Sequence, residues 1–182
     1  MKHNNAKING FITNLGKYNE GVLIGEWISF PISEDELSEV YERIGINLDE
    51  PINGVWYEET FFTDWDNEID FNFGEYPDID EVNEIADWLE SLDRWEDETL
   101  EAALEIWDFS EIYENGLDAY SLYSDVNSNY DLGYYWIEES GCYDIKALGS
   151  LANYIDYEAF GRDVAMDADG GFTKNGFIEY IG

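Results

Sequence analysis

The side chains with chemistry to offer are almost all carboxylates. Asp and Glu number 43 against 8 Lys and Arg, a formal charge of −35 over 182 residues. One stretch spaces them like metal ligands. Asp64, Asp66, Glu68, Asp70 and Asn72 alternate, and Glu75 stands at the twelfth position, as in the oxygen ladder of a calcium loop. The sixth position of such a loop turns on Gly, and here it is Ile69. Trp65, Ile69, Phe71 and Phe73 interleave with the acids as the inner side of a half-buried strand would, so the stretch reads as strand. Glycoside hydrolysis needs only two carboxylates, and the 7 Trp would suit sugar stacking. With 43 acids, however, any two form a pair, and the spacing carries no information. A single Cys, Cys142, excludes an internal disulfide framework and multi-cysteine metal sites. A single His, His3 in a polar leader, excludes multi-histidine metal sites and argues against Ser-His-Asp or Cys-His catalysis. Asp167-Ala168-Asp169-Gly170-Gly171 reads as a turn rather than a metal loop, and no Gly-rich run precedes a Lys-Ser/Thr pair. The residues therefore predict no catalytic, cofactor or metal site. A calcium-dependent or carbohydrate-active enzyme is the minor alternative.

The charge needs its own explanation. At 45% apolar and 17% aromatic residues, the chain has the surface to form a core, unlike a disordered acidic tail. Self-repulsion at this density disfavours a compact particle and favours an elongated one. It also excludes binding to nucleic acid or to an anionic membrane through a basic patch. Duplex DNA carries one charge per ~1.7 Å of axis, so 35 charges match roughly 17 base pairs, about 60 Å of duplex. Solubility or adaptation to high salt is the plainer use of such acidity. No apolar run approaches a membrane span, and Met1–Gly10 lacks a signal core, so the expected location is the cytoplasm.

Composition divides the chain into three regions, an α+β arrangement read as elongated and three-domain. Residues 1–57 are mixed α/β. Ile8–Thr13 and Val22–Phe30 read as strands around a Leu15–Gly21 turn. Ser33 and Glu36 form a capping box for a helix through Leu37, Val40, Tyr41 and Ile44, with Gly45 placed to end it. Val55-Trp56-Tyr57 supplies a third strand. Residues 58–118 hold 23 of the acids and one basic residue, Arg94. Ile79, Val82, Ile85, Ala86, Leu89 and Leu92 mark one helix face. Leu100, Ala103, Leu104 and Trp107 mark a second, and Ser110 caps a third, giving a thin helical bundle. Residues 119–182 are mixed again, and dimerisation is placed here. A helix runs from Tyr130 to Ser140, with Gly133 against it. Another runs from Ser150 to Gly161, and a hairpin turns at Lys174-Asn175-Gly176. The joint is placed at Ser124–Ser128. The tyrosine stripe Tyr130, Tyr134, Tyr135 with Trp136 reads as core or subunit interface.

Two long stretches carry a resemblance. Asn14-Leu15-Gly16-Lys17-Tyr18-Asn19-Glu20-Gly21-Val22-Leu23-Ile24-Gly25-Glu26-Trp27, followed by Phe30-Pro31, resembles the opening of the ArdA antirestriction proteins. Asn153-Tyr154-Ile155-Asp156-Tyr157-Glu158-Ala159-Phe160-Gly161-Arg162-Asp163 resembles their closing signature. Tyr134–Gly141 is similar to a third element of the family. The middle departs from the family in its Trp- and Asp-rich stretch, Trp56 to Phe73. The resemblance implies curved, elongated homodimers of three-domain subunits, carried by plasmids, transposons and phages. It further implies that they mimic bent duplex DNA and occupy the DNA groove of type I restriction-modification enzymes, without catalysis or cofactor. A mimic aimed at another DNA-handling defence system is the alternative within the same physics. On this reading the phosphate-mimicking acids are Glu58, Glu59, Asp64, Asp66, Glu68, Asp70, Glu75, Asp78, Glu81, Glu84, Asp87, Glu90, Glu98, Glu101, Glu105, Glu114 and Asp118.

Overall fold

The computed structural model describes residues 6–46, 51 and 54–182; His3 lies outside them. It forms two compact units, Met1–Leu92 and Asp93–Gly182, each with helices on one small antiparallel sheet.

In the first unit, β1 (Ile8–Asn14) lies between β2 (Gly25–Phe30) and β3 (Thr60–Asn67). As the central strand it is buried almost throughout, and its own sequence suits that position. Ile8 and Ile12 are fully enclosed, while Asn9 and Thr13 are buried but partnered. The Ser29 hydroxyl donates to Asn9 Oδ1 at 2.7 Å, and Asn9 Nδ2 donates to the Ala6 carbonyl at 3.1 Å. Between β1 and β2 the expected turn is instead a single helical turn, α1 (Leu15–Asn19). Asn14 starts it by accepting the Lys17 N–H, while its amide donates to the carbonyls of Ile44 and Gly45 at 3.1 and 3.2 Å. β2 begins at Gly25, not Val22, because Val22 and Leu23 are exposed and unpaired in the ladder. Helix α2 (Glu34–Arg43) starts on the capping box as expected, and the chain leaves it through Gly45 at φ +76°.

The third strand is displaced from its expected place. Val55 and Trp56 are exposed, and the strand that pairs with β1 is Thr60–Asn67. Helix α3 (Ile79–Ser91) buries Val82, Ile85, Ala86 and Leu89 and packs on β2. Its Asn83 amide pins Ile32, accepting the N–H at 2.7 Å and donating to the carbonyl at 2.9 Å.

The second unit begins with α4 (Arg94–Ala103), which packs on β4 (Tyr120–Tyr123) and β6 (Gly176–Tyr180). The acidic helices thus lean on sheets. Helix α5 (Phe109–Asn115) starts at Asp108, not at Ser110, and Gly116 ends it. β6 is central between β4 and β5 (Gly170–Thr173), with the expected hairpin closing the chain.

Helix α6 (Asn129–Tyr134) runs on into a π turn, Tyr135–Glu139. After the short helix α7 (Ile145–Leu148) comes a 3-10 segment, Gly149–Tyr154, where one continuous helix was expected. Helix α8 (Tyr157–Asp167) then passes straight through Gly161, which was expected to end it. The reason is a helix crossing. A Cβ on Gly161 would meet the backbone of Asn129 and Gly133, and one on Gly133 would meet that of Tyr157 and Gly161. Two glycines let α6 and α8 touch backbone to backbone. The Ser124–Ser128 segment is not a loose joint: Val126 is buried against Leu132 and Phe177, and Ser128 caps α6. Among the described residues no helix is long and apolar enough to cross a membrane.

Candidate partner-binding surface

All seventeen acids singled out in the sequence reach solvent. Sixteen are exposed, and Glu98 is half-buried. Glu58 and Glu59 precede β3, and the Glu59 carbonyl receives the Leu15 N–H at 3.0 Å. Asp64 and Asp66 sit on β3 opposite Phe11 and Asn9. Glu68, Asp70 and Glu75 lie on the segment that folds back along the outer edge of β3, held there by the Phe62 N–H donating to the Glu75 carbonyl at 2.8 Å. Asp78 has a structural duty as well, capping α3 by accepting the Asp80 N–H at 3.0 Å.

Glu81, Glu84, Asp87 and Glu90 follow along α3 at steps of three. Each step rises about 4.5 Å and rotates about 60° backwards. The four therefore sweep across the exposed half of the helix as a slanted ribbon about 14 Å long. A single DNA strand places its charges about 3.4 Å apart along the axis. In the second unit Glu101 and Glu105 are exposed on and just after α4, Glu114 lies on α5, and Asp118 on the 3-10 turn Leu117–Ala119.

Two members do not stand free. Arg94 holds Glu98 at 2.9 Å, and Lys174 lies 3.5 Å from Glu101. Glu101 also accepts from Asn175, and Glu105 from the Lys174 N–H. Among the described residues none of the other fifteen is in an ion pair. Other cations pair outside this set, Arg43 with Glu26 and Glu39, Lys17 with Glu20, and Arg162 with Asp163. The Lys17 site is a small network. Its ammonium donates to the Tyr57 hydroxyl at 2.6 Å and to Glu20 at 2.9 Å, while Tyr57 donates to Glu20 at 2.7 Å. Tyr57 and then Glu20 raise the Lys17 pKa, and Lys17 with Tyr57 lowers that of Glu20.

The calcium-like ladder divides in two, as strand to Asn67 and as a returning loop beyond it. Among the described residues no three His, Cys, Asp or Glu are placed to hold a metal ion. Two features escaped the sequence. Asp93 and Glu96 form a second capping box, visible in the D-x-x-E pattern before α4. A bulge in β3 re-phases its side chains, as the shift in register between Phe11 and Ile12 records. Phe62 and Trp65 thereby stack, with ring centroids 4.5 Å apart and planes 15° apart.

A mixed fold with unpaired carboxylates on strand, loop and helix is therefore what the chain displays. Residues 10–179 match the ArdA antirestriction protein family. The chain belongs to that family. No individual curated protein matches it. The family is one of antirestriction proteins, and the opening and closing signatures of this chain lie within the matched span.

Proposed function

We infer that this ArdA protein inhibits type I restriction-modification enzymes by occupying their DNA-binding groove as a mimic of bent duplex. The observation that carries this reading is the set of exposed carboxylates without ion pairs on β3, its return loop and α3. A groove built to hold DNA lines itself with Lys and Arg, and releases ions when it is filled. Fixed carboxylates on folded elements meet such a groove without the energy that bending real DNA requires. They also present no phosphodiester to cut and no base to methylate, so this chain needs no catalytic residue and no cofactor. Competition of this kind is indifferent to the recognition sequence of the enzyme.

The reading includes a homodimer formed through the C-terminal region. Tyr130, Tyr134, Tyr143, Leu151, Tyr154 and Met166 are exposed there, apolar surface that a second copy could cover. It also includes action in the cytoplasm, where incoming DNA meets restriction.

Displacement of a labelled duplex from a purified type I enzyme tests this. The protein should displace duplex of any sequence, less effectively as salt rises, with cleavage and methylation falling together. Inhibition that proceeds while the duplex stays bound would overturn the mimicry. Protection confined to cells with another DNA-handling defence would move the target.

A further inference from the structure

We propose that the first unit carries a preformed groove that takes an arginine side chain of a protein partner. The groove lies between β3 and the loop that returns along it, and encloses about 620 Å³. That lies in the range of small-molecule pockets, about 300–1,000 Å³. Its walls combine Trp65 and Phe71 with Asp64, Asp66, Asp70 and Glu75, and among the described residues no Lys or Arg lines it.

The geometry is set before any ligand arrives. The Trp65 indole is stacked on Phe62 and donates its Nε1–H to the Gly74 carbonyl at 2.9 Å. The loop is clamped by Asn67, which accepts the Phe71 N–H at 3.0 Å and donates to the Phe71 carbonyl at 2.8 Å. Asp70 is held in the left-handed region, at φ +48°. A rigid site loses less entropy on binding.

The lining selects the occupant. Four carboxylates of one sign call for a cation. Aromatic walls favour one that is planar and weakly hydrated over a compact ammonium. A guanidinium stacks on a ring and donates two parallel N–H bonds to a carboxylate in the same pose. This differs in kind from the ribbon on α3, which offers charge alone. The identity of the partner, a DNA-binding protein rich in arginine, rests on the inhibitor reading; the groove itself does not.

The test is NMR of the full ¹⁵N-labelled chain, titrated with acetyl-Gly-Arg-Gly-amide and with its lysine and citrulline counterparts. Citrulline keeps the shape of arginine and removes the charge. Shifts should gather at residues 60–75 and the Trp65 indole, with lysine about two- to fivefold weaker and citrulline silent. Asp70→Asn with Glu75→Gln should weaken arginine binding about three- to tenfold. Both positions are exposed, so the fold should survive the change. Equal response to arginine and lysine, shifts spread over α3 and α4, or no response overturns the proposal. No restriction enzyme takes part, so a silent groove leaves duplex competition standing, and failed competition leaves the groove standing.

Discussion

The contact between α6 and α8 makes a quantitative demand on Gly161. Replacing it with Ala puts a methyl into the Asn129 carbonyl and 2.6 Å from the Gly133 nitrogen. Neither neighbour is a flexible side chain that can swing aside, so the two helices must separate. Overpacking of this kind costs about 1–3 kcal/mol, and backbone against backbone lies at the upper end. Helix propensity acts the other way, favouring Ala over Gly by about 1 kcal/mol. The net is a loss of about 2 kcal/mol. For a unit of this size, 1 kcal/mol moves Tm by about 4–8 °C, so the second unit should melt about 8–16 °C lower. Calorimetry reads the transition, and near-ultraviolet circular dichroism reads the packing of Tyr130, Tyr134 and Tyr157 around the crossing. Gly133→Ala alone should behave alike. The double variant should cost about 1 kcal/mol less than the sum, because the first methyl has already opened the gap. A Tm for Gly161→Ala at or above that of the parent would mean that the helices are not in backbone contact.

Further expectations concern charge, a cap and pH. On α3, Glu81→Gln, Glu84→Gln, Asp87→Asn and Glu90→Gln should each weaken duplex competition by less than about twofold, and together by tenfold or more at low salt. An abrupt loss at one of them in a competition titration would point to a discrete site instead of a shared field. Ser33→Ala removes the capping box of α2 and should cost the first unit about 1 kcal/mol, read as a shift in its urea midpoint. Burial, and then its bond to Glu179, push the Tyr123 phenol up to about 12. Because the folded value lies above the unfolded one, near 10, the protonated phenol favours the fold fully below about pH 10. That contribution fades as pH rises towards 12. Tyr123→Phe should therefore flatten the alkaline fall in stability of the second unit, measured by urea midpoints between about pH 9 and 11.5.

What could be read in advance was local. Ser33 and Glu36 announce α2 within four residues, and the apolar face of α3 declares itself through Val82, Ile85, Ala86 and Leu89. Exposure of the acids was equally legible, since unpaired carboxylates are seldom buried. The failures were distant in origin. Val55-Trp56-Tyr57 has the residue types of a strand, but the partner of β1 is Thr60–Asn67, whose alternation from Asp64 onwards reads as strand without saying which strand it pairs with. Gly161 looks like a helix stop because the helix it accommodates lies elsewhere in the chain. Lys174 reaches Glu101 only through the closing hairpin. The groove depends on a bulge, and a one-residue change of phase leaves no mark in composition.

The strand at the middle of the first sheet precedes both of its partners in the chain. β1 can pair with β2 almost at once, but its other edge waits for residues 60–67. Until then a nascent hairpin with Ile8 and Ile12 uncovered presents an open ladder, the kind of edge that recruits other chains. The segment that closes it brings Asp64 and Asp66. Synthesis thus ends the vulnerable interval with a strand that is itself a poor template for stacking, so the acidity that faces a partner in the finished protein also shields its newborn form from its own kind.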